Sequence, residues 1–331
     1  MSAMQSQPPA DFAEDLPQDL EPTQGIAPDK PHKSVSRTRM VWQRLKRKPN
    51  FWIGGTVILL IVLFALFGNI PNIYEYTDTD PYSQNSPPSA QHWFGTDSVG
   101  RDLYAGIATG LRMSLLIGFI AAPLATLLAA FLGSLAGYLG GWVETIISWF
   151  INLFLVLPVF YILLLLSPAI QAPDSLPGGL KQLAMMPSWL LIVLAIACFG
   201  WMVMAQIVKN QTKSLKEREF VKAARYMGVG TFTILYRHII PNVASLLIID
   251  ATLGVAGAIL AETSLSFFGL GIQYPDVSLG SLLQNGQSGV IARPWSFYFP
   301  SIFLVSLLTA VALLGDALRD AIDPTSEVNR G

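Results

Sequence analysis

The chain has 331 residues, 52% of them hydrophobic and 13% charged, with a formal net charge of −1. An average soluble domain carries about 25% charged residues, and a mean hydropathy of +0.48 argues against a soluble domain and for a membrane protein. The single cysteine, Cys198, excludes an internal disulfide and a thiolate metal cluster, and its place in an apolar run reads as a small packing residue.

The first 32 residues are rich in Pro, Asp, Glu and Gln and nearly lack bulky aliphatic side chains. Such a segment cannot bury enough apolar area to offset its ordering entropy, so residues 1–36 are expected to be a disordered tail. A basic block follows (Lys33, Arg37, Arg39, Arg44, Lys46, Arg47, Lys48) and runs into the apolar stretch 51–70. That stretch is too long for a signal-peptide core and no small-residue cleavage site follows it. It is expected to stay as a first span, so that 37–70 is a basic flank and its transmembrane helix.

A helix crossing the hydrocarbon core needs about 20 apolar residues, and six runs qualify: 51–70, 113–139, 145–166, 189–208, 243–262 and 297–315. The spacing predicts an all-α integral membrane fold with six spans. Residues 71–112 form a loop between the first two, 113–318 a core of five further spans, and 319–331 a tail. Lys and Arg in short loops resist translocation. The basic N-terminal flank, the loop after span four (Lys209, Lys213, Lys216, Arg218, Lys222, Arg225, Arg237) and Arg319 fall on one side. The opposite loops hold only Arg101 and Arg112, Lys181, and Arg293. Both termini and the charged loop 209–242 are therefore expected in the cytoplasm.

In span two, Ala121, Ala125, Ala129, Gly133, Gly137 and Gly141 recur every fourth residue, a ridge of small side chains that lets a neighbouring helix approach. In span five, Asp250, Gly254, Ala258 and Glu262 share a face, with the two carboxylates about 18 Å apart along it. Carboxylates at membrane depth face protein interior or water. This face is expected to line a translocation pathway; the alternative pairs Asp250 with a neighbouring helix and puts Glu262 in the outer interface. Gly269 and Gly271, before Tyr274-Pro275, suggest a break, and irregular backbone at membrane depth needs cover from protein or a water-filled cavity. Residues 264–271, with Ser264 and Ser266, are gate candidates. Ahead of span two, Gly95-Thr96-Asp97 reads as a turn, with Asp97 or Ser98 able to cap a following helix. Arg101 and Asp102 would either contact an external protein or hold the loop together.

Within the charged loop, Phe220, Ala223, Ala224 and Met227 fall at i, i+3, i+4 and i+7, one stripe of an amphipathic helix. Glu219, Lys222 and Arg225 project elsewhere. Gly228 and Gly230 permit a helix stop, a short helix over 231–240 returns to the membrane, and Pro241 suits the first turn of the next one. Pattern alone leaves two readings open: a helix lying on lipid headgroups and a helix docked by another protein.

Lys222-Ala-Ala, then Gly228, then His238-Ile-Ile-Pro241 resembles the cytoplasmic loop of permease subunits of bacterial ABC importers. His92-Trp-Phe-Gly-Thr-Asp97-Ser-Val-Gly-Arg101-Asp102, Gly110-Leu-Arg112-Met-Ser114, Glu262-Thr-Ser-Leu-Ser-Phe-Phe-Gly-Leu-Gly271 and Gly315-Asp316-Ala-Leu-Arg319-Asp320-Ala-Ile-Asp323-Pro324 are similar to segments of the dipeptide/oligopeptide/nickel branch. The chain resembles the second of the two permeases in such importers. The resemblance implies a six-span type I permease domain that pairs with a homologous second permease. It also implies an external substrate-binding protein and two ATPase subunits, which would hold ATP and Mg²⁺. The residues implied in ATPase coupling are Glu219, Phe220, Lys222, Ala223, Ala224, Met227, Gly228 and Pro241. Lys222 stands where the family has Glu, which removes any salt bridge that the acid would make. Short peptides are the expected cargo; nickel chelates or other small solutes are the alternative within the branch.

No phosphate-binding Gly-x-x-x-x-Gly-Lys-Ser/Thr motif occurs in the sequence, so any ATP hydrolysis belongs to a separate subunit. No His-Glu-x-x-His motif or cysteine pair suggests a metal site, and His32, His92 and His238 lie in separate segments. The basic stretches flank spans, so nucleic-acid binding is not expected. Two other classes stay open: an ion-coupled transporter using Asp250 and Glu262, and a membrane sensor that moves no cargo.

Overall fold

The computed structural model describes residues 37–70, 72, 74–158, 161–162 and 186–322. The expected tail 1–36, the end of the chain from 323, Lys181 and residues 159–160 and 163–166 of the third span lie outside them. Of two compact units, Met1–Met40 is described only over the start of helix α1 (Arg37–Leu45), and the packing that follows is that of Val41–Gly331. All regular elements among the described residues are helical.

Helix α2 (Pro49–Phe67) starts on Pro49, whose missing N–H costs nothing in a first turn. Helix α3 (Leu103–Leu139) has 37 residues, which at 1.5 Å per residue is about 55 Å. It begins ten residues before the apolar run suggests. Arg112, a loop residue by its charge, is helical and reaches across to the carbonyl oxygens of Ala65 and Leu66 at the end of α2. Its charge thereby satisfies two carbonyls that α2 leaves free at its C-terminus. The N-cap of α3 is Asp102, whose carboxylate accepts from Ala105 N at 2.8 Å, and neither Asp97 nor Ser98.

Helix α4 (Gly141–Val156) carries the first part of the third span. The fourth span is two helices, α5 (Ser188–Gly200) and α6 (Met202–Lys216), bent by 41° at Trp201. Cys198, expected inside, is exposed on α5. Helices α7 (Glu219–Tyr226) and α8 (Thr231–Ile234) follow. A π-helical turn, Leu235–Ile239, then runs without interruption into α9 (Ile240–Phe267). Pro241 stands in the first turn of α9, as expected, although the helical rod runs through from Thr231 without a break. Its ring removes one backbone donor; one residue on, the Asn242 side-chain amide donates to His238 O at 2.5 Å. Helix α10 (Leu279–Gln287) opens with a Ser278/Ser281 capping box, and α11 (Trp295–Ile322) closes the described chain.

Helix α3 is the central post: α2, α4, α5, α6, α9 and α10 all pack on it. Its small-residue ridge is buried from Ala121 to Gly137. A Cβ on Gly133 would stand 2.6 Å from Ala205 O, and one on Gly137 2.5 Å from Lys209 O, so only glycine admits the backbone of α6 here. Gly141, the last member of the expected ridge, lies past the end of α3 with open space around it. The ends of the bundle are distinct. At one end, Trp295 donates to Thr96 O, and Asn69 to Thr109, joining the starts of α11 and α3 to the loop 72–102 and the end of α2. At the other, Lys48 pairs with Asp320 at 2.9 Å and Tyr138 packs against Val221 and Ala224.

Among the described residues, four helices are long and apolar enough to cross a membrane, or five with the bent α5–α6 pair counted as one. Helix α4, at 16 residues, falls short of that length.

Candidate functional site

Three groups of residues stand out along the axis of α3. The first is a cavity of about 270 Å³ between α3, α5 and α9. Ala121, Ala122, Ala125, Gly254, Gly257, Ala258 and Ala261 form most of its wall, with Ile196, Phe199 and Gly200 on the α5 side. Asp250 and Thr126 are its polar groups, and Thr126 Oγ1 donates to Asp250 Oδ2 at 2.6 Å. Asp250, Gly254 and Ala258 therefore do share a cavity face. Thr126 escaped the sequence reading; a lone hydroxyl among the alanines of span two was the available signal.

Glu262 does not join them. It is 0% exposed and sits in a cluster of serines. Ser266 Oγ donates to Glu262 Oε1 at 2.6 Å and Ser114 Oγ to Oε2 at 3.3 Å. The same two hydroxyls accept from Ile272 N and Leu279 N, so one carboxylate ties α3, the end of α9 and the start of α10 together. Ser266 is thereby a structural link rather than a cavity residue, and Ser264 donates back to Leu260 O within its own helix. The expected break at 264–271 is an ordered helix stop. Gly269, at φ +77, lets its own N–H reach Ser266 O and Leu270 N reach Leu265 O, the pairing that closes a helix on a left-handed residue.

The second group is the turn ahead of α3. Asp97 accepts from Val99 N and Arg101 N, both at 2.9 Å, and so closes a loop. Asp102 is buried, and besides capping α3 it bonds His92 Nδ1 at 2.9 Å and Asn72 Nδ2 at 3.1 Å. Arg101 lies over the ring of Tyr274, 4.3 Å from its centroid, and near that of Tyr76. Burial pushes the Tyr76 hydroxyl above its ordinary pKa, with Arg101 pulling the other way. Both charged residues hold the loop together.

The third group is α7. Its stripe divides between two faces. Val221 and Ala224 are buried, with Ala224 at 2% exposure, against Tyr138, Ile234, Leu235 and Ile239. Phe220, Ala223 and Met227 are exposed, Met227 at 75%. Ala224 thus belongs to the inward face, because it lies only about 60° around the helix from Val221. Lys222 pairs with Glu217 at 3.1 Å on the exposed side, and Glu219 is exposed in the first turn. Gly228, at φ +78, ends the helix by the same two-bond closure as Gly269.

Residues 129–327 match the family model described as the binding-protein-dependent transport system inner membrane component. Residues 36–88 match that of the N-terminal transmembrane domain of oligopeptide transport permease C. The chain is 43% identical to the oligopeptide transport system permease protein OppC of Mycobacterium tuberculosis over 294 residues, 88% of this chain and 96% of the relative. It is 40% identical to the Escherichia coli protein of the same name over 293 residues, 86% and 92% of the two chains. It is 34% identical to the dipeptide transport system permease protein DppC of Bacillus subtilis over 292 residues, 88% and 87%. With a helical bundle of type I permease form and a multi-pass set of apolar helices, the chain belongs to the inner-membrane permease family of binding-protein-dependent ABC transport systems.

Proposed function

We propose that this chain is one of two permease subunits of an ATP-driven importer of short peptides. A homologous permease completes the pathway, an external binding protein delivers cargo to the 72–102 end, and two ATPase subunits engage α7. Both termini and α7 face the cytoplasm. The observation that carries this reading is the placement of α7. It stands at one end of α3 with Phe220, Ala223 and Met227 uncovered, while the Gly-Thr-Asp/Gly-Arg-Asp loop stands at the other. The peptide cargo rests on the names of the relatives.

The packing supports a simple transmission. Val221 and Ala224 clamp α7 to the end of α3 and to the rod 231–267. A force on α7 is then delivered to α9, which is one wall of the Asp250 cavity. Closure of the ATPases around bound ATP would move α7 and shift that wall between inward-open and outward-open arrangements. The π-helical turn Leu235–Ile239 lies between the driver and the wall, and such turns are frequent at functional sites.

The test is uptake of labelled trialanine by cells that carry the complete importer as their sole peptide transporter. Import that requires ATPase turnover is the expected result. Import that survives without the ATPase subunits and collapses with the ion gradient would replace this reading by an ion-coupled one. Import of a nickel chelate and not of trialanine would correct the cargo alone.

A further inference from the structure

Asp250 is a membrane-depth acid with no counter-ion among the described residues. Thr126 is its only hydrogen-bond partner among the described residues, and no Lys, Arg or His among them pairs with it. A carboxylate offers about four acceptor sites, so most of its capacity is left toward the cavity that it lines. Intramembrane acids are costly and mark functional sites by default. The surrounding wall sharpens the point. Ala122, Ala125, Gly254 and Ala258 present small surfaces with no side-chain polar atoms, so they impose little choice on cargo side chains. What remains for this wall to recognise is one positive charge, placed beside a surface that a main chain can approach closely.

Resting on the peptide-import reading, we propose that Asp250 binds the N-terminal ammonium of the peptide in transit. Thr126 holds the carboxylate in place, and the alanines and glycines pass the following residues whatever their side chains. Every unblocked peptide carries that ammonium, so one fixed charge serves a mixed cargo. A single ion pair in a water-accessible cavity is also weak enough to release.

The experiment uses the assembled importer with its binding protein in proteoliposomes. Two tripeptides carry p-benzoylphenylalanine, one at the first and one at the last position. The first-position label is expected to crosslink to segments 103–139 and 240–267 several-fold more than the last-position label. Asp250→Asn, which keeps shape and the Thr126 bond, removes that preference and lowers trialanine uptake about tenfold, a loss of about 1.4 kcal/mol. Asp250→Glu restores most of it. Equal crosslinking by the two labels in the unaltered complex would overturn the proposal, as would undiminished uptake by Asp250→Asn. Loss of the second permease from purified Asp250→Asn complex would assign the charge to a subunit contact and overturn it too. An unaltered complex that imports no trialanine would instead bring down the cargo reading, and this proposal with it.

Discussion

Asp102 does three jobs with one carboxylate: it caps α3, anchors His92 and holds Asn72. Loss of an N-cap costs about 1 kcal/mol, and leaving a buried partner unsatisfied costs about 1–3 kcal/mol more. Asp102→Ala is therefore expected to lower the melting temperature of the detergent-solubilised protein markedly. Asp102→Asn, which still caps, should cost about half as much; equal stability of all three would remove the structural role of this loop. The sequence does not single out Asp102 over Asp97, because each starts a plausible cap and only the path of residues 97–102 decides. It misplaces Ala224 for a related reason. A short stripe of small and apolar residues has two edges, and nothing in eight residues says which edge the chain covers itself. Val221, buried at the back of α7, is the discriminating neighbour. The two alanines separate in experiment. Ala223→Trp should leave insertion and thermal stability unchanged while it abolishes uptake and ATPase association. Ala224→Trp should lower stability itself, by the roughly 1–3 kcal/mol typical of overpacking. Normal transport by Ala223→Trp would remove the docking role of the exposed face.

Helices are legible where composition changes sharply and illegible where it does not. The apolar runs of α2, α9 and α11 place the starts of these helices to within three residues, since a bilayer-length apolar run has one physical use, while α9 and α11 run on five and seven residues past them. The bend at Trp201 leaves no trace, because hydropathy is continuous from α5 into α6 and no proline marks it. Hydropathy puts the start of α3 ten residues late, because Arg112 looks too costly for a helix facing lipid. Its guanidinium instead ends on the α2 carbonyls, a length-spanning reach that charge counting does not see. The small-residue ridge is legible as far as Gly137, since period four on a helix leaves a stripe that only close packing explains. That ridge yields a prediction for the α3–α6 pair. Gly137→Val puts a branched side chain where even a Cβ stands 2.5 Å from Lys209 O, so the helices must separate. Expression of folded protein, read by size-exclusion of the solubilised chain, should fall several-fold for Gly137→Val. The same substitution at Gly257, where nothing lies within 4 Å of a Cβ, should be tolerated. Equal yields would mean that α6 does not rest on this ridge.

At about 55 Å, α3 is longer than the roughly 30 Å hydrocarbon core, so its two ends are held in different aqueous phases. Tyr82 lies in the loop that leads to its start, and Tyr226 on the helix packed against its end; both are exposed. Lys48, paired to Asp320, lies with Arg44, Lys46 and Arg47 at the Tyr226 end of the bundle, and Lys and Arg resist export. For ATPases to reach α7, the Tyr226 end must be the cytoplasmic one. In a Cys198→Ser background, which removes the exposed native thiol, Tyr82→Cys should react with a membrane-impermeant maleimide on intact cells. Tyr226→Cys should react only after permeabilisation. The reverse pattern would leave α7 outside, beyond the reach of any nucleotide-driven partner, and every step from ATPase to cavity wall would lose its first link.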